Sequence, residues 1–112
     1  MAKIGQVTLT DTAGTKYTFR TYDLQTSFNP IAALYVFTRR TKNRNAQGYS
    51  HEIIYIGETG DIEERFGNHH RAHCIKNHKA NCVGFLRESA ARTRKRWETN
   101  LRNTYDPPCN RE

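Results

Sequence analysis

Five side chains of this 112-residue chain are of types that do chemistry and stand at intervals that folding can bring together. Tyr35 and Tyr55 lie in the two most apolar, β-branched stretches, Ile31 to Phe37 and Glu52 to Ile56. A polar, basic segment from Arg39 to Ser50 joins these stretches and would set them side by side as antiparallel strands. Arg65 and His69 stand four residues apart, so one helix face would project both. Glu98 falls between Trp97 and Leu101, at the edge of an apolar helical stripe. Groups of these kinds can grip an anion, hold a hard cation and move a proton. Charge points to the partner. Eighteen Lys and Arg against eleven Asp and Glu leave +7, a balance that attracts polyanions, of which nucleic acid is the commonest. An acidic side chain on such a surface repels DNA unless a cation lies between them.

The elements that must carry these groups can be followed along the chain. Gln6 to Leu9 and Lys16 to Phe19 alternate apolar and polar around Asp11-Thr12-Ala13-Gly14, which predicts a β-hairpin. Asn29-Pro30 breaks the chain before the first apolar strand, and Gly57 ends the second. Asp61 and Glu64 have the spacing of a capping box, and Ile62 and Phe66 share the inner face of the helix it opens. Gly67 weakens that helix by about 1 kcal/mol relative to Ala, so it should be short or bent. A second short helix, about 71–79, precedes a strand near Cys82 to Leu86. The last helix is expected from Ser89, its N-cap, to Thr104, with Pro107-Pro108 as its stop. The order predicts one α+β domain with a mainly antiparallel sheet and no internal repeat.

The ordered set Ala33-Leu34-Tyr35, Tyr55-Ile56-Gly57, Arg65, His69, Glu98 and Pro107-Pro108-Cys109-Asn110 resembles the motifs of the GIY-YIG nuclease superfamily over residues 31–110. Ala33 and Leu34 stand where that family has glycine and isoleucine. The resemblance implies a three-stranded antiparallel central sheet flanked by helices, with strands at about 31–38, 52–57 and 82–87. Residues 1–29 would then be an extra N-terminal hairpin. It also implies a metal-dependent endonuclease that hydrolyses phosphodiester bonds, in DNA by preference. In that reading Glu98 binds one divalent ion, Mg2+ or Mn2+, and Arg65 clamps the phosphate. Tyr35 is the general base for the attacking water, and His69 is its proton relay. A phenol needs such help, its ordinary pKa being near 10. Tyr55 orients water or phosphate, Gly57 allows a tight turn beside the site, and Asn110 pins the C-terminal segment.

Each residue also has a plain structural reading. The two tyrosines suit a core, and Arg65 suits an ion pair with Asp61 or Glu64. Glu98 has Arg94 and Arg102 at helical spacing, which predicts ordinary helix salt bridges. Arg92, Arg94, Lys95 and Arg96 suit a solvated face. The rival function is a nucleic-acid-binding module that keeps the nuclease fold without cutting. Arg39, Arg40, Lys42 and Arg44 could track a phosphate backbone from the basic loop, with Asn43 or Asn45 touching bases. One site cuts one strand, so a double-strand break would call for a homodimer or two visits. Cys74, Cys82 and Cys109 contain no CxxC pair and read as free thiols. Cys74, His78 and Cys82 could line one helix face as metal ligands, but Cys82 already belongs to the following strand. With no membrane-length apolar run and no leader pattern, a cytoplasmic protein without a membrane partner is expected.

Overall fold

A computed structural model of the chain describes residues 3–25, 27–44, 48–67, 69 and 71–111. Strands β1 (Gly5–Thr10) and β2 (Lys16–Asp23) form the expected hairpin. Asp11 closes it, because its carboxylate accepts the backbone N–H groups of Ala13 and Thr15 at 3.0 and 2.9 Å. Gly14 turns the chain there with a φ of 86°.

This hairpin is not an appendage to a three-stranded sheet. Its second strand pairs antiparallel with β5 (Cys82–Arg87), giving one five-stranded antiparallel sheet in the order β1-β2-β5-β3-β4. The physical reason lies in β2 itself. Tyr17, Phe19 and Thr21 are buried while Lys16, Thr18 and Arg20 are exposed, so one face of the strand requires a core. Pairing with β5 supplies that core and covers what would otherwise be an open strand edge.

The two motif-bearing strands are longer than their apolar stretches suggest. β3 runs Ala33–Lys42 and β4 runs Tyr49–Thr59, paired throughout with a bulge between Phe37 and Thr38. Both ends of the basic segment expected as a loop are therefore ladder. Apolarity ends near Thr38, but backbone pairing does not need burial to continue. Arg40 stabilises the extension by lying 3.5 Å over the ring of Tyr49.

Side chains divide between two cores on opposite faces of the sheet. Leu34, Val36 and Ile56 pack with Leu9, Tyr17, Phe19 and Leu101 under α3 (Ala91–Tyr105). Ala33, Tyr35 and Phe37 pack with Tyr55, Val83, Phe85 and Ile62 under α1 (Ile62–Gly67) and α2 (Ala72–Asn77). Ala33 is fully buried, so its methyl is part of this core. Asp61 caps α1 through the N–H of Glu64, at 3.1 Å. Ser89 does not cap α3. Its N-cap position is Ala90, with no side-chain cap, and Arg94 instead ties the chain before the helix, donating from Nη1 to the carbonyls of Glu88 and Ser89, each at 2.9 Å.

One further expectation is corrected here. Cys74 and Cys109 are joined in a disulfide, and only Cys82 is a free thiol, buried in β5. Packing decides this, since the turn at Pro108–Asn110 folds back beside α2. Among the described residues no helix is long and apolar enough to cross a membrane.

Candidate active site

Tyr35 is the centre of the site and has no exposed surface. It faces Gly57 across the β3–β4 ladder. A Cβ on Gly57 would lie 2.5 Å from both Cζ and the hydroxyl oxygen of Tyr35. Gly57 sits inside β4 and makes no tight turn, contrary to the role expected of it. Its use is to leave room for the end of the Tyr35 ring. Tyr55 lies next along the same face, with ring centroids 6.0 Å apart. Phe66 of α1 closes over Tyr35 edge-on at 5.2 Å.

His69 completes the cluster. Its Nε2 is 2.8 Å from the Tyr35 hydroxyl, while its Nδ1 accepts the backbone N–H of Arg71 at 3.0 Å. A ring nitrogen that accepts a hydrogen bond carries no proton. The neutral ring therefore holds its proton on Nε2 and donates it toward Tyr35. That is opposite to the expected relay, in which His69 would accept the proton of Tyr35. Burial pushes the Tyr35 pKa far above that of a free phenol, with neighbouring Tyr55 adding to the rise. The guanidinium of Arg65 lies close by and pulls the other way. Among the described residues Arg65 makes no ion pair with Asp61 or Glu64, so its charge faces the phenol and the surface.

Glu98 and Asn110 meet the outer edge of β4. Asn110 accepts the N–H of Ile56 through Oδ1 and donates to its carbonyl through Nδ2, both at 2.8 Å. One side chain thus replaces a strand partner, and the C-terminal segment is pinned as expected. Glu98 lies one residue pair further along. Burial raises its pKa above the usual carboxylate range; Arg102 opposes the shift and the carboxylate of Glu58 reinforces it. Its salt bridge is with Arg102, at 3.7 Å. Arg94 ignores Glu98 and pairs with Glu58 at 3.0 Å, its side chain only 6% exposed. A partly buried carboxylate beside a second acidic group suits a hard divalent cation, which would restore its charge. Mg2+ or Mn2+ bound mainly through water fits this oxygen donor set.

The cationic residues of the basic segment do not form one surface. Arg40 is half-buried and donates to the carbonyl of Ile4 at 3.2 Å, so it is held by the fold. Arg39, Lys42 and Arg44 are exposed. Asn43 accepts the hydroxyl of Ser50, while Asn45 lies outside the described residues. Sequence reasoning missed Glu58 and Arg94, whose pairing joins β4 to α3. It also missed a trough of about 400 Å³ lined by Arg20, Tyr22, Phe28, Phe85 and Arg87. Only the strand alternation of β2, exposing Arg20 beside Tyr22, could have signalled it. No family model, curated protein or solved structure matches this chain.

Proposed function

We propose that the protein is a metal-dependent endonuclease that hydrolyses phosphodiester bonds in DNA. The observation that carries this reading is the surroundings of Tyr35. A phenol whose burial opposes ionisation has an imidazole N–H at 2.8 Å and a guanidinium close by. Both stabilise a phenolate more than a neutral hydroxyl, against the burial that favours the neutral form. Tyr35 first passes its own proton to solvent through the Tyr55 hydroxyl, which is hydrogen-bonded to it. As a phenolate it then takes a proton from the attacking water, and the His69 N–H and Arg65 hold the oxygen that does so. Arg65 also clamps the phosphate with its planar fork. Tyr55 orients the water or phosphate from the neighbouring strand. Glu98 would hold the divalent ion, which supplies neutralisation of the phosphate and of the departing oxygen. Arg39, Lys42 and Arg44 guide the backbone, and two protomers would be needed for simultaneous cuts in both strands.

The test is conversion of supercoiled plasmid to nicked or linear DNA with Mg2+ or Mn2+, with EDTA, and with Glu98→Gln. Cleavage that disappears with EDTA and with Glu98→Gln supports the nuclease. A second reading, a binding module that keeps the fold without cutting, draws on the complete burial of Tyr35. Salt-sensitive DNA binding with no cleavage of plasmid, single-stranded DNA, branched DNA or RNA would favour it.

A further inference from the structure

The Cys74–Cys109 pair has a third neighbour. Cys74 is in α2, His78 follows that helix by one residue, and Cys109 is in the turn after α3. The two sulfurs and one ring nitrogen of His78 all lie within 4.8 Å of one another. The helical hydrogen bond from the His78 N–H to the Cys74 carbonyl, at 3.0 Å, holds these two side chains on one face. Cys82 is not part of the group; it pairs with Thr38 inside the sheet.

We propose that, when reduced, Cys74, His78 and Cys109 hold a zinc ion, and that the disulfide is the metal-free oxidised state of the same cross-link. Two thiolates and an imidazole are a donor set that zinc prefers, with the fourth position left to water. The interconversion balances. A thiol reductant passes two electrons to the disulfide, giving two protein thiols and the reductant's own disulfide. Zinc then displaces both thiol protons to solvent and bonds the two sulfurs and His78. Either state closes the same 35-residue separation. It does so where closure matters, because α2 is six residues long and has no side-chain cap. The link also joins the two arms of the candidate site, with Asn110 adjoining Cys109 and His69 preceding α2. The zinc site does not depend on the nuclease reading.

The test uses the full chain, reduced with a phosphine, loaded with zinc and freed of excess metal by gel filtration. Elemental analysis should find one zinc per chain, and cobalt in its place should show thiolate-to-cobalt absorption in the near ultraviolet. His78 is exposed, so His78→Ala should fold normally by circular dichroism. Loss of an outer partner of a metal ligand already costs about 10- to 100-fold in affinity, and loss of this ligand should cost at least as much. Cys82→Ser should bind zinc as the wild type does, and the oxidised chain should bind none. The proposal is overturned if the folded, reduced protein takes up neither metal. It is overturned equally if His78→Ala binds like the wild type, or if the oxidised chain retains zinc.

Discussion

The two faces of the sheet each bury a tyrosine, and the two are held in opposite ways. On the α3 face Tyr17 donates its hydroxyl to the carboxylate of Asp11 at 2.8 Å, and Asn100 approaches the same oxygen at 3.5 Å. On the α1/α2 face Tyr35 meets His69 at 2.8 Å and the field of Arg65. Burial raises both pKa values. The decisive neighbours differ. At Tyr17 the Asp11 carboxylate favours the neutral form against Asn100 and Arg96, whereas at Tyr35 the cation Arg65 favours charge against Tyr55. Burial of a polar group is common to structure and to catalysis; what distinguishes them is which protonation state the surroundings favour.

That contrast can be broken by experiment. Tyr35→Phe should lower plasmid cleavage by at least about 100-fold, the usual scale for a positioned proton-transfer group. Tyr17→Phe should leave cleavage within about twofold, since it touches only the far face. Equal losses of cleavage would remove the distinction. Next in size, Gly57→Ala should cost about 1–3 kcal/mol in chemical denaturation, the range for overpacking a filled core. It should also reduce cleavage, because the new methyl occupies the space of the Tyr35 hydroxyl. Stability loss with full cleavage would show that the position of this ring is not critical.

Tyr17→Phe should itself destabilise by about 1–2 kcal/mol, because it removes a hydrogen bond to a charged acceptor. The smallest effect is read in pH. The Tyr17 hydroxyl, with backbone N–H groups of the turn, holds the Asp11 pKa below its ordinary value near 3.8. A lowered folded-state pKa gives stability that is present above the unfolded pKa and fades as pH falls through the folded one. Asp11→Asn should therefore be less stable than the wild type at neutral pH. The gap should narrow only below about pH 3.8, and by less in Tyr17→Phe, whose Asp11 carboxyl has lost its strongest partner and titrates closer to its unfolded value. A gap that stays constant to pH 2 would rule this linkage out.

Legibility in the sequence followed the range of the interaction. The hairpin around Asp11, the cap at Asp61, and the strands of Tyr35 and Tyr55 all announce themselves in patterns a few residues long, and they were readable. The helical offset expected of Arg65 and His69 was not, because α1 ends at Gly67 and His69 lies between α1 and α2. The direction of the Tyr35–His69 hydrogen bond was not, because it depends on the Arg71 N–H that occupies the other ring nitrogen. Arg94 is the clearest misreading. Its spacing to Glu98 suggested a helix pair, but its partner is Glu58, 36 residues away. Two of the three members of the Cys74–His78–Cys109 group were visible as helical spacing. Its third member was assigned to Cys82 because Cys109 approaches only through the turn after α3.

By itself, then, the sequence determined the periodicities: where strands and helices lie, which faces are apolar, and that a phenol, a guanidinium and a carboxylate ride on successive elements. Tertiary structure alone decided that β2 joins β5, that Gly57 vacates space for Tyr35, and that Glu98 and Asn110 meet the free edge of β4. Local pattern follows from dihedral preferences and spacing along the chain. Pairings between distant segments depend on which edges and core faces remain uncovered once the chain has folded, and no short window of residues encodes that.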